Sequence, residues 1–273
     1  MGEKLGLIAG KGQFPLMCAR AARQQGLGVV ALAHHGETDP ALADLADEIH
    51  WIYVGQLGKI IRVFKNAGVH RALMAGGINR GRLFSQFRPD FRALKLLAQV
   101  GVGQDDRVLR AVAGEMEREG ITIVAATLFL EELMAPAGRL GRRRPTPWEM
   151  RDVNLGFKVA KEVGRLDIGQ CAVVRHGVVA ALEAIEGTDE AIRRGGQLSG
   201  PGAVVVKVCK PQQDLRFDLP AVGLGTIEAM AEVGAKVLAI EAGKTLIFDR
   251  ADMIGLADRT GIAVWGVAET PDT

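Results

Sequence analysis

"LGLIAGKGQFPLMCARAARQQG", residues 5–26, decides how the fold is read. An apolar run, "LGLIAG", ends on a glycine turn, "AGKGQFP" (9–15), and a helical pattern follows. Pro15 suits the first helical turn, where its missing N–H costs nothing. The alternation continues downstream: "GVVALAHH" and "RALMAGG" read as strands, and "GKIIRVFKNAG" and "DDRVLRAVAGEMEREG" as helices, the latter leading to the strand "ITIVAAT". Strands alternating with helices predict a parallel α/β sheet. Phe84, Phe87, Phe91 and Leu94 recur at helical spacing with Arg88 and Arg92 interleaved. Core packing is the expected use of that stripe, and an apolar groove is the alternative.

"APAGRLGRRRPTPWEM" carries three prolines, two glycines and a basic run, which argue against regular structure. The expected organisation is a domain over 1–135, a linker over 136–148 and a second domain over 149–273. Arg142, Arg143 and Arg144 suit a solvated linker; with Trp148 they also suit an anionic lipid surface. The second part is predicted to be mixed α/β. A helix runs through "VNLGFKVAKEVG", and "QCAVVRHGVVAALEAI" reads as a hairpin pivoting on His176-Gly177. "GAVVVKVC" reads as a strand, "TIEAMAEVG" as a helix and "KVLAIEAGKTLIF" as a second hairpin. A helix from "RADMIG" and the strand "IAVWGV" close the chain.

With 273 residues, 48% of them apolar, the chain can bury a sizeable core. Its 34 Lys and Arg against 32 Asp and Glu leave a charge of +2, too balanced for a duplex-binding protein, so nucleic acid is not the expected partner. Cys18, Cys171 and Cys209 lie apart among apolar neighbours, without zinc or disulfide spacing, and read as reduced core cysteines. The first apolar run is too short for a signal sequence, and no run approaches a spanning helix. A soluble cytoplasmic protein is expected, meeting a membrane only at its surface.

Three glycine turns, "AGKGQFP", "VGQLGKI" (54–60) and "AGGINRG" (75–81), fall where strands should end, which is where open α/β sheets bind ligands. Free amides at Gly10, Lys11, Gly12 and Gln13 could hold an anion, and Lys59, Asn79 and Arg80 could face a polar substrate. The alternative is a tight turn that needs glycine. The pattern is G-x-G-x-x-P rather than G-x-G-x-x-G. The second strand ends in His34-His35-Gly36, where a dinucleotide fold usually shows an acid for the ribose.

"EAIEGTDE" (183–190) sets four carboxylates after a buried run. Thr188 can cap the next helix, and Asp189 and Glu190 suit its positive end. Glu183 and Glu186 are left over by that account; with Gly187 they make an acidic turn suited to a hard cation and the phosphates it bridges. "CKPQQDLRFDLPAVGLGT" (209–226) crowds Lys210, Gln213, Asp214, Arg216 and Asp218. Strand alternation would put Asp214, Arg216 and Asp218 on one face, with Leu215 and Phe217 on the other. Arg216 and Lys210 can neutralise phosphate, while Asp214 or Asp218 can bind Mg²⁺ or orient water.

"LGLIAGKGQFP", "GQLGKI", "AGGINRG", "GRLDIGQCAVVRHGVVAALEAIEGTDEAIRRGG" and "KPQQDLRFDLPAVGLGTIEAM" together resemble the LpxI-type UDP-2,3-diacylglucosamine pyrophosphatases of lipid A biosynthesis. The resemblance spans essentially the whole chain. It implies a Rossmann-like N-terminal domain, a C-terminal mixed α/β domain of unusual topology and a homodimer at the inner face of the inner membrane. It further implies a Mg²⁺-dependent hydrolase that splits a lipid-linked nucleotide sugar into UMP and 2,3-diacylglucosamine 1-phosphate (lipid X). The family's essential "DLP" aspartate maps onto Asp218. The expected chemistry has Asp218, with Asp189 or Glu186, holding Mg²⁺ across the diphosphate while water attacks the sugar-side phosphorus. A nicotinamide-dependent oxidoreductase and a non-enzymatic UDP-sugar sensor are the rival readings.

Overall fold

A computed structural model describes residues 2–79, 87–100, 105–217 and 219–268. The chain divides into two compact units, one of Met1–Glu131 with Asp214–Asp218, the other of Glu132–Gln213 with Leu219–Thr273.

The first unit is built on a five-stranded sheet of order β3-β2-β1-β4-β5. The strands are β1 (Lys4–Ala9), β2 (Gly28–His34), β3 (Glu48–Ile52), β4 (Arg71–Ala75) and β5 (Thr122–Ile123), all parallel. β3 is an edge strand beyond those predicted, and "ITIVAAT" contributes only two residues. Among the described residues the unit carries helices α1 (Phe14–Gln24), α2 (Leu57–Ala67), α3 (Phe91–Val100) and α4 (Asp105–Arg118). A sheet covered on both faces must be apolar on both, and β1 and β2 are buried almost throughout. α2 sends Leu57, Ile60, Ile61 and Phe64 inward at helical spacing. Phe64 explains the glycine inside "LGLIAG": a Cβ on Gly6 would come within 2.7 Å of its ring.

The second unit holds a six-stranded mixed sheet of order β6-β13-β11-β9-β7-β8. Its strands are β6 (Gly138–Arg139), β7 (Cys171–Arg175), β8 (Val178–Leu182), β9 (Val204–Lys207), β11 (Val237–Glu241) and β13 (Ala263–Val267). β9, β11 and β13 run parallel, β7 is antiparallel to β8 and β9, and β6 is antiparallel to β13. Helix α5 (Pro147–Arg165) packs Val153 and Ala160 on one face, against Ala172, Val174 and Val206. Helices α6 (Thr188–Ser199), α7 (Leu224–Glu232) and α8 (Arg250–Thr260) bring Ile192, Ile227, Met230 and Met253 to the other, against Cys171, Val173 and Val205. Alternate residues of β7 thus enter opposite cores, as the period of a strand requires.

The β7–β8 hairpin turns where the sequence predicts it. His176 (φ 50°) and Gly177 (φ 77°) both take positive φ, the demand of a two-residue primed turn. The buried Asp152 of α5 offsets the strain by accepting both their amides, at 2.8 and 2.7 Å. "KVLAIEAGKTLIF" is not a hairpin. After β11 the chain leaves the sheet, and β12 (Leu246–Ile247) pairs in parallel with β10 (Ala221–Val222). The stretch 136–148 differs from a bare linker, because Gly138–Arg139 joins the sheet edge and Thr146 caps α5 in a reciprocal box with Glu149. Arg142 meets Asp258, and Arg143 meets Glu149 and the Lys236 carbonyl. All three cysteines are buried and free; burial pushes the thiols of Cys18 and Cys171 up to about 12, which keeps both unreactive.

The aromatic stripe is not core. Phe91 is 84% exposed, Leu94 and Phe87 are also exposed, and α3 packs instead through Ala93 and Leu96. Phe84 lies outside the described residues. Among the described residues, no helix is long and apolar enough to cross a membrane.

Candidate functional site

In the first unit the chain leaves β1 for β2 and β3, then returns on β1's other side as β4 and β5, so β1 and β4 flank the point where strand order reverses. The turns that follow these two strands are locked together. Gly10 donates to the Ala75 carbonyl and Lys11 to the Gly77 carbonyl, each at 2.8 Å. A Cβ on Gly10 would lie 2.4 Å from the Gly77 oxygen, so glycine is set here by backbone-on-backbone contact. Two amides expected to cradle an anion are therefore spent between the turns. Lys11, Gly12 and Gln13 stay exposed at the start of α1.

The end of β2 is tied to the same place. His34 Nδ1 lies 2.9 Å from the Ala9 carbonyl, and Thr38 donates its hydroxyl to that carbonyl at 2.6 Å while accepting the His34 amide. Burial holds the His34 imidazole below its usual value, so the ring is neutral. The turn carries Glu37, whose Oε2 accepts the amide of Asn79 at 3.1 Å. This carboxylate lies three residues past the end of β2. Lys59 is engaged by the Trp51 carbonyl. Arg80 lies outside the described residues.

Asp214 and Arg216 belong to this first unit, and they pair with each other. Arg216 bonds Asp214 through Nε and Nη2 at 3.0 and 2.8 Å and reaches Glu117 at 3.1 Å. The guanidinium holds the Asp214 carboxyl below the usual carboxylate range. The segment is a turn, not a strand: Asp214 accepts the Phe217 amide on its carbonyl and the Arg216 amide on its side chain. Asp214 and Arg216 are therefore not alternate residues of a strand, while Phe217 packs on the unit's core. Asp218 lies outside the described residues.

In the second unit the acidic stretch is mostly accounted for. Buried Glu183 accepts the Thr188 hydroxyl at 2.8 Å and the Gln170 amide at 3.0 Å. Glu186 bonds Arg194 and the Ala184 amide, which hold its carboxyl low. Gly187, at φ 87°, occupies the cap position, so Thr188 is the first helical residue rather than the cap. Asp189 is exposed in the first turn of α6, where a negative charge suits the helix. Lys210 reaches Asp167 at 2.6 Å, and its amide is held by Gln213 at 3.0 Å.

The sequence reading missed a cluster at the carboxyl ends of β9 and β11. Glu241, with no exposed surface, accepts Lys161 Nζ at 2.8 Å, Lys244 Nζ at 3.1 Å and the Cys209 amide at 2.8 Å. Two ammonium groups thus converge on one buried carboxylate. The available signal was "AIEAGK", an acid that ends a fully buried strand, absorbed by the mistaken hairpin.

The LpxI N-terminal domain model matches residues 4–133 and the LpxI C-terminal domain model residues 136–265. The UDP-2,3-diacylglucosamine pyrophosphatase LpxI of Caulobacter vibrioides is 38% identical over 281 residues, covering 97% of this chain and 98% of the relative. Among solved structures, the biotin carboxylase domain of a thermophilic 2-oxoglutarate carboxylase aligns at a TM-score of 0.27 with 18% identity, over 72% of this chain and 34% of its own. A pyruvate carboxylase from Rhizobium etli aligns at 0.28 with 16% identity, over 58% and 13%. Scores this low do not describe a shared overall fold. Both family models, laid end to end over nearly all of the sequence, place this chain in the LpxI family.

Proposed function

We propose that this protein hydrolyses the diphosphate of UDP-2,3-diacylglucosamine to UMP and 2,3-diacylglucosamine 1-phosphate. The observation that carries the reading is the 38% identity, over 97% of the chain, to a relative of that name. Water attacks the sugar-side phosphorus, with Asp218 as the essential carboxylate. Lys161, Lys210 and Lys244 are suited to stabilise charge that develops on the phosphoryl oxygens. Substrate binding is assigned to Lys11, Gly12, Gln13, Asn79, Arg80, Gly187, Thr188 and Gln213.

Mg²⁺ dependence belongs to this reading by kinship. Among the described residues, no group of three or more His, Cys, Asp or Glu could hold a metal ion. Glu186 is bonded to Arg194 and Asp214 to Arg216. The protein works as a homodimer on the inner face of the inner membrane, where exposed Phe87, Phe91 and Leu94, beside Arg88 and Lys95, suit acyl chains and anionic headgroups.

The test is UMP release from UDP-2,3-diacylglucosamine in detergent, with Mg²⁺ or chelator, for the wild type and Asp218→Ala. Metal-dependent release that a folded Asp218→Ala protein lacks is expected. No release from folded wild type would overturn the reading.

A further inference from the structure

We propose that Glu37 receives a ribose hydroxyl of the uridine nucleotide, which puts the nucleoside subsite at the carboxyl ends of β1 and β4; this rests on the function proposed above. The argument starts from an unspent acceptor. Oε2 of Glu37 accepts the Asn79 amide, while Oε1 is withdrawn from solvent and has no hydrogen-bond partner among the described residues. A carboxylate can accept about four hydrogen bonds, and a buried oxygen left without one is costly enough to call for an explanation.

Position supplies the explanation. Glu37 sits in a turn whose two ends, His34 and Thr38, are both fastened to the Ala9 carbonyl at the close of β1. Its other contact, Asn79, follows the turn after β4. The carboxylate thus joins the turn after β2 to the turn after β4, on either side of the end of β1 and beside the strand-order reversal, where open α/β sheets take their ligands. A carboxylate repels phosphate, so what completes Oε1 is a neutral donor, such as a hydroxyl. A flat surface adjoins it in sequence: His35 lies 5.6 Å from the Trp51 ring and 4.5 Å from the Tyr53 ring, and Arg88 covers Tyr53 at 3.8 Å. Half-buried aromatic faces of this kind suit a nucleobase.

The experiment is calorimetric binding of UMP, 2′-deoxy-UMP and 3′-deoxy-UMP to the full-length wild type and to Glu37→Gln. In the variant the Asn79 amide keeps the side-chain carbonyl, which leaves an amide nitrogen where Oε1 stood. We expect one deoxy analogue to bind wild type about tenfold more weakly than UMP, the scale of a hydrogen bond to a charged group, and the variant to lose that discrimination. Wild type that binds all three alike, or fails to bind UMP, overturns the proposal without recourse to any variant. So does a Glu37→Gln protein that still discriminates. Hydrolysis without ribose discrimination would sink the subsite and spare the hydrolase; discrimination without hydrolysis would do the reverse.

Discussion

Lys161 and Glu241 form an ion pair at 2.8 Å in which the carboxylate has no exposed surface. Breaking such a pair from the acid side leaves a charged partner without compensation, and here also strands the Cys209 amide. Glu241→Ala is expected to cost about 3–5 kcal/mol in urea unfolding. Lys161→Ala should cost less, because Lys244 and the Cys209 amide still hold the carboxylate. Equal losses in the two variants would contradict this account.

The locked turns of the first unit separate two kinds of glycine. Gly12 has φ 90° with nothing near an added Cβ, whereas Gly76 has φ 80° and its Cβ would meet the Lys11 carbonyl at 2.5 Å. Gly12→Ala should lose about 1 kcal/mol to backbone strain alone. Gly76→Ala adds a clash and should lose about 3 kcal/mol or more. Thermal melts of the two proteins decide it, and a Gly12→Ala protein as damaged as Gly76→Ala would refute the distinction.

His34 gives the first unit a pH dependence of definite sign. Burial lowers its folded-state value beneath 6.5, despite the bond to the Ala9 carbonyl. As pH falls below 6.5 the unfolded chain binds a proton that the folded chain refuses. The stability is therefore intact above that value and is lost as pH drops toward the folded one. His34→Gln should show a shallower fall in Tm between about pH 7 and pH 5 than wild type. An unchanged slope would remove His34 as the cause.

Much of this was legible in the sequence where local chemistry dictates geometry. His176-Gly177 announced its hairpin because a primed turn needs two positive-φ residues, and "LGLIAGKGQFP" announced strand, turn and helix in order. What was not legible depended on partners remote in sequence. Nothing near Leu246 says that it pairs with Ala221, so Glu241 was placed in a hairpin that does not exist. Glu37 escaped notice because the acid lies past the end of its strand, in a turn whose direction is set by Thr38 bonding Ala9. Alternation misled at 214–217, where Asp214 bonds the amides of its own turn.

The acidic stretch offers the sharpest contrast between bracing and catalysis. Glu183 is buried and accepts from Gln170 and Thr188, so Glu183→Ala leaves a backbone amide short of its partner and should cost about 1–3 kcal/mol. Glu186 is an exposed residue whose carboxylate is already met by Arg194 and the Ala184 amide. Glu186→Gln should therefore leave both the melting temperature and the Mg²⁺ dependence of UMP release nearly unchanged, within about twofold in rate. A metal ligand would behave otherwise, since losing one charged ligand weakens binding and shifts the Mg²⁺ titration to higher concentration. A titration of UMP release against Mg²⁺ separates the two. A shift of about tenfold or more would return Glu186 to the metal, with Arg194 as its resting partner; coincident curves would leave the residue with the turn it closes.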